Sequence, residues 1–172
     1  MLAQLITLYS TSVFSVFTNN AYTIVGIPDS LYTSPEGGEP GLLILANAGQ
    51  YESIPLTAIN AVYAGDGTVY DLSITYLPPP APLPLGCDTD MMTAVQDYLP
   101  VGTDVLLMMG LSTQATGLVY RNHYGMLVIS DADGNTPVFV VTPKLLRITT
   151  ADAELEGPRP AVSPRIQNVP IN

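Results

Sequence analysis

The sequence predicts a mainly β fold: two tandem small barrels, one short helix and extended terminal arms. Three observations carry this prediction. First, the chain repeats itself, because Tyr22 to Ala48 can be laid on Leu106 to Ala132 without a gap. Gly41-Leu42-Leu43-Ile44-Leu45 then falls on Gly125-Met126-Leu127-Val128-Ile129, and Val25-Gly26-Ile27 falls on Met109-Gly110-Leu111. With a slip of one or two residues, Ile54, Thr57, Ile59 and Val62 answer Val140, Thr142, Leu145 and Ile148. A small unit used twice points to a paired architecture. Second, short apolar runs are separated by clusters of Gly, Asn, Asp and Pro, the punctuation of strands and hairpins. Third, a proline-rich stretch lies between the copies. The predicted divisions are an N-terminal arm (1–20), a first repeat with an extra strand (21–77), a linker (78–87), a helix with the second repeat (88–150) and an extended tail (151–172).

The chain begins with an apolar segment, Leu2 to Phe17, interrupted by Gln4, Thr7, Ser10, Thr11, Ser12 and Ser15. It has no basic start and reads as structural, not as a signal peptide. Val13, Phe14, Val16 and Phe17 fit either a strand pairing across Asn19-Asn20 or the end of an amphipathic helix from Leu2. In the first repeat, Ala21 to Ile27 is a strand and Pro28 to Pro40 a polar loop. Gly41 to Ala46 and Tyr51 to Pro55 form a hairpin around Asn47-Ala48-Gly49-Gln50, and Ile59 to Tyr63 closes the unit. Thr68 to Leu77 alternates imperfectly through Val69, Leu72, Ile74 and Tyr76, as an additional strand that extends a sheet or bridges to a neighbour.

Pro78-Pro79-Pro80-Ala81-Pro82-Leu83-Pro84 has little choice but an extended polyproline conformation. Its position favours a stiff spacer over a ligand for a proline-recognising domain. Asp88 is placed to N-cap a short helix with Asp90 in its first turn. Met91, Met92, Val95, Tyr98 and Leu99 follow at helical spacing until Pro100. Asp104 to Met109, Thr116 to Arg121, Gly125 to Ser130, Val138 to Val141 and Leu145 to Ile148 are the strands of the second repeat. Arg121 to Gly125 and Asp131-Ala132-Asp133-Gly134-Asn135 supply its tight turns. In the tail, Pro158, Pro160, Pro164 and Pro170 exclude a regular helix or a central strand.

Gly-x-Leu-x-Ile-x-Asp-x-x-Gly, a β-branched strand, a Thr-Pro turn and Leu-x-x-Ile follow one short helix here. This pattern resembles the third to fifth strands of Sm-like and SH3-like barrels, including segments found in small spore-coat-type proteins of Gram-positive bacteria. The resemblance covers Asp88 to Ile148 and, more faintly, Tyr22 to Val62. It implies the small-barrel fold and a tendency to form rings or stacks by strand-edge pairing. RNA-binding members carry basic and polar residues in the loops that meet RNA. Here those places hold Asp131-Ala132-Asp133-Gly134-Asn135 and Val141-Thr142-Pro143-Lys144, so the RNA site is not carried over.

Composition narrows the function classes. Of 172 residues 47% are hydrophobic and 12% charged, too apolar for general disorder. No run reaches the ~18 uninterrupted apolar residues of a membrane helix. Fifteen acidic side chains face only Lys144, Arg121, Arg147, Arg159 and Arg165, giving a net charge of −10. Such a chain repels phosphate backbones and anionic membrane surfaces, which excludes nucleic acid as the expected partner. Cys87 is alone, so no intramolecular disulfide forms, and it is read as a bystander or an intermolecular crosslink.

No catalytic, cofactor-binding or metal-binding residue is assigned. His123 is the single histidine, in an expected turn, and reads as a solvated group. Gly37-Gly38-Glu39-Pro40-Gly41 has neither the lysine nor the helix that a phosphate cradle needs. Asp131-x-Asp133-Gly134-Asn135 is too short for a calcium loop, and Asp88 with Asp90 reads as helix capping. Ten tyrosines without a basic groove suit half-buried strands and subunit contacts better than nucleic-acid stacking. The expected function is therefore a non-enzymatic, self-assembling structural subunit of a spore layer or appendage, a surface filament or a phage particle. Its partners would be copies of itself and other structural proteins of that particle, joined by strand edges and terminal arms. A protein- or peptide-binding adaptor is the alternative, ahead of an Sm-like RNA binder.

Overall fold

The computed structural model describes residues 1–150 and 164–168. Helix α1 (Leu2–Leu8) leads into strands β1 (Phe14–Thr18), β2 (Thr23–Tyr32), β3 (Leu42–Asn47), β4 (Gln50–Pro55) and β5 (Ile59–Tyr63). After a long connection come α2 (Cys87–Tyr98), β6 (Asp104–Met109), β7 (Thr113–His123), β8 (Met126–Ser130), β9 (Val138–Val141), β10 (Leu145–Thr150) and β11 (Arg165–Asn168). One turn of 3-10 helix joins β4 to β5 at Leu56–Ala58, and another joins β9 to β10 at Thr142–Lys144. The protein is mainly β, and its described strands form one antiparallel sheet.

Pairing is carried out twice by the same scheme. β1 lies between β2 and β5, β2 pairs with β3, and β3 with β4. Likewise β6 lies between β7 and β10, β7 pairs with β8, and β8 with β9. Register repeats as well. Phe14 stands opposite Gly26 as Val105 does opposite Gly117, and Leu43 opposite Ile54 as Leu127 does opposite Val140. Both sets bulge at the same place, between Pro28 and Ser30 and between Val119 and Arg121. Gly26 therefore corresponds to Gly117 and not to Gly110, as the gapless alignment had it. That alignment holds only around β3 and β8, because the loop before β3 is longer than the turn before β8. At both positions a side chain is excluded by close approach: an added Cβ would sit 2.8 Å from the Ala46 carbonyl oxygen or from Ile129 Cγ2.

The two sets are fused through β5 and β9, with Ala61 opposite Val140, Val62 opposite Phe139 and Tyr63 opposite Val138. The strand order is β10-β6-β7-β8-β9-β5-β1-β2-β3-β4, with β11 against β7. The expected closed barrels are thus replaced by one open sheet. The polar edges of β5 and β9 satisfy each other, leaving β4 and β10 with one strand neighbour each among the described residues. Two apolar clusters lie along this sheet. One gathers Leu5, Phe14, Leu43 and Ile54 but also Val128 and Phe139 from the second set. The other gathers Val105, Leu107, Leu127 and Ile129 but also Phe17 and Ala61 from the first. Burying a side chain the size of Phe139 stabilises the fold by about 1.5–3 kcal/mol, so each set is held partly by the other.

Several expectations are corrected. Residues 1–20 are not an extended arm. Leu2, Leu5 and Ile6, at helical spacing, pack α1 on the first cluster, and β1 pairs across the Asn19-Asn20 turn into the sheet. β2 runs through Pro28, which sits at the bulge and beyond the reach of β1, where its missing N–H breaks no ladder. Thr68 to Leu77 forms no strand. It makes a single bridge, Val69 to Asn135, and lays Tyr70 and Ile74 over the first cluster. β7 starts at Thr113 and runs past Arg121 through Asn122 and His123, leaving only Tyr124-Gly125 for the turn. Gly86, not Asp88, precedes α2, and Asp88 joins Asp90 in its first turn. Of the tail, Arg165–Asn168 pairs with one strand only, whereas 151–163 and 169–172 lie outside the described residues.

Candidate functional site

Two features stand out: a cleft beside the proline-rich segment and the two open strand edges. The cleft is made where alternate residues at the end of β7 take separate tasks. Asn122 points towards α2, and its amide nitrogen donates to the carbonyls of Val95, Gln96 and Leu99 at 3.2, 3.1 and 2.8 Å. Those carbonyls lie at the C-terminal end of α2, where helix carbonyls run out of internal donors, although that of Val95 also accepts from the Leu99 N–H at 3.2 Å; Asn122 thus caps α2 and fixes it to the sheet. Arg121 and His123 serve the cleft instead.

The cleft has a volume of about 440 Å³ and is lined by Tyr70, Tyr76, Pro78, Arg121, His123 and Tyr124 among others. The guanidinium carbon of Arg121 lies 4.4 Å from the ring centre of Tyr120 and 5.3 Å from that of Tyr70. Nη1 also donates to the Tyr120 carbonyl at 2.8 Å. Two aromatic faces and a carbonyl thus hold a cation for which no carboxylate is close among the described residues. His123 stacks on Tyr76 with ring centres 3.8 Å apart and planes 14° from parallel. Burial, and then the neighbouring Arg121 charge, hold its pKa below the usual histidine value. Burial, followed by the hydrogen bond to Tyr70, pushes the Tyr76 phenol above the ordinary range; the two hydroxyl oxygens are 3.0 Å apart. At neutral pH the cleft therefore offers the Arg121 cation, one neutral imidazole and the protonated Tyr76 phenol. Among the described residues that line it, no nucleophile is paired with a base.

His123 is accordingly a strand residue in an aromatic stack and not a solvated turn group. Asp131 accepts hydrogen bonds from the backbone N–H groups of Asp133 and Asn135 and from the Asn135 amide. Although burial raises its pKa, these bonds outweigh burial and hold the carboxyl below its ordinary value. That is turn chemistry, as the sequence predicts. Among the described residues no three His, Cys, Asp or Glu side chains are grouped to hold a metal ion. Cys87 is exposed at the start of α2, and Gly37 to Gly41 lies in an exposed loop. Lys144 crosses between the two sets, its Nζ donating to the Thr57 carbonyl at 2.8 Å. No described helix is long and apolar enough to cross a membrane.

The proline-rich segment is exposed and lines both this cleft and a neighbouring one of about 590 Å³, with Met1, Gln4 and Met126. Sequence reasoning missed Tyr70, Tyr76 and Arg121 as a group. Their nearest sequence signal is the placing of an unrepeated aromatic-rich stretch directly before the prolines.

The open edges differ in character from the joint between β5 and β9. β5 is buried from Ile59 to Val62, and β9 from Val138 to Val140. By contrast β4 exposes all but Ile54, and β10 exposes Leu146, Arg147 and Thr149. Tyr51 on β4 is exposed, as are Tyr22 and Tyr32 before and at the end of β2. No protein-family model, curated protein or solved structure matches this chain.

Proposed function

We propose that the protein is a non-enzymatic structural subunit that assembles with copies of itself through its sheet edges. The observation that carries this reading is the joint between β5 and β9. There the fifth strand of one five-stranded set pairs with the fourth strand of the other. Among the described residues the same two strand types, β10 and β4, stand open at opposite ends of the sheet. An open edge is a row of unpaired N–H and C=O groups and a template for another strand. On this reading each five-stranded set is a small Sm-like or SH3-like unit. The particle would be a spore layer or appendage, a surface filament or a phage particle.

Sedimentation velocity and negative-stain electron microscopy across a concentration series test the proposal. Concentration-dependent growth into rings, stacks or filaments is expected. A monodisperse monomer throughout would overturn it. That outcome would favour a protein- or peptide-binding adaptor, which the Arg121 cleft supports as the second reading.

A further inference from the structure

We infer that copies of this chain join head to tail, the β4 edge of one against the β10 edge of the next, in the register that β5 and β9 use within the chain. This rests on the assembly reading and deepens it by naming the contact. The strands of the two sets correspond because their registers repeat. Val62 faces Val16 on β1 as Ile148 faces Leu107 on β6, so Ala61, Val62 and Tyr63 correspond to Arg147, Ile148 and Thr149. Leu43 faces Ile54 as Leu127 faces Val140, so Glu52, Ser53 and Ile54 correspond to Val138, Phe139 and Val140. Carrying over the internal pairs places Arg147 opposite Ile54, Ile148 opposite Ser53 and Thr149 opposite Glu52 of the next copy.

The residues at these positions suit a contact between separate molecules. Where the internal joint sets Val62 against Phe139, the outer one sets Ile148 against Ser53, so each edge is tolerable in water before it pairs. Glu52 and Arg147 are both exposed. In the inferred register they are diagonal neighbours on one face, within reach of long side chains at about 7–8 Å between backbones. Of these two edge strands, β4 carries a carboxylate and no guanidinium, and β10 a guanidinium and no carboxylate. Pairing two β4 edges, or two β10 edges, would therefore bring like charges together, which selects the head-to-tail arrangement. A contact between two different patches is heterologous and closes into a ring or continues as a filament according to the rotation per copy.

Disulfide trapping on the full chain, in a Cys87→Ser background, tests the register. A directly opposed pair brings Cβ atoms to about 4.5–5.5 Å, from which a small strand adjustment reaches the roughly 4 Å of a disulfide. Ser53→Cys mixed with Ile148→Cys should give a crosslinked dimer on mild oxidation, and either variant alone should give none. The double variant should give a ladder of multiples. Replacing Ile148→Cys by Leu146→Cys, two residues out of register, should abolish the crosslink. In parallel, Glu52→Arg and Arg147→Glu should each reduce assembly by sedimentation, and the two combined should restore it. Assembly without the Ser53–Ile148 crosslink, or crosslinks from a single variant, would overturn this register and leave the assembly reading standing. A monomer under every condition would overturn both.

Discussion

At Gly110 the backbone turns from β6 into β7 with φ of +54°, and an added Cβ would lie 2.3 Å from Nδ2 of Asn60, which is fully buried. Left-handed backbone costs a side chain about 1–2 kcal/mol and overpacking about 1–3 kcal/mol more. Gly110→Ala should therefore lower Tm by about 5–15 °C in a chain of this size. Gly38→Ala, with open space around the site, should change stability by less than about 0.5 kcal/mol. Thermal denaturation followed by circular dichroism compares the two, and equal effects would remove the packing argument. His123 calls for a pH measurement. Its folded pKa is depressed below 6.5, by burial first and by Arg121 second. Between the folded and ordinary values the unfolded chain binds the extra proton, so stability is full above pH 6.5 and is lost as pH falls below it. His123→Phe keeps a ring against Tyr76 and removes this proton. The variant should lose less stability than the parent between pH 7 and pH 5, and parallel pH profiles would show that His123 does not contribute.

Among the elements, β9 carries the most consequence. Phe139 lies on β9 but belongs to the first cluster, where its ring meets Tyr9 and Tyr70 at centroid distances of 6.3 and 6.2 Å. Phe139→Ala should cost about 3–5 kcal/mol, the usual range for losing a buried phenyl. Because β9 also pairs with β5, hydrogen exchange should show the loss in the β1–β2 and β6–β7 amides alike. Protection retained in one set and lost in the other would mean that the sets are independent folding units. The N-terminal elements matter for a related reason. β1 pairs with both β2 and β5, so removing residues 1–19 takes a central strand out of the sheet and leaves no folded protein in which to ask about assembly. The edge substitutions at Glu52, Ser53, Arg147 and Ile148 ask that question without touching a central strand.

Over the whole molecule, the sheet is directional: its two ends are the fourth strand of one set and the fifth strand of the other. A net charge of −10 makes copies repel one another. The proposed edge pairing would have to overcome that repulsion with main-chain hydrogen bonds and the few side chains in register. This explains why the polarity of β4 and β10 does not count against assembly. Polar edges keep the free chain from indiscriminate pairing, whereas an apolar pair such as Val62 and Phe139 is safe only inside one chain, where its partner is always present.

The sequence by itself determined what depends on neighbours a few residues away. β3 and β8, the turn built on Asp131, α2 up to Pro100, and β10 after its Thr-Pro turn were all legible, because periodicity, turn chemistry and helix stops act locally. The duplication was legible too, although its register drifted from Gly26 to Gly110 where a loop length changed. Only the tertiary structure decided the pairing of β5 with β9, the bending of β2 and β7 through their bulges, and the placing of Asn122 and His123 in strand rather than turn. It also turned the alternating residues from Val69 to Tyr76 into a cover for the first cluster, with Tyr70 buried and Leu72 exposed. A strand exists only where another strand accepts its hydrogen bonds, and that partner lies far along the chain, so local preference cannot name it.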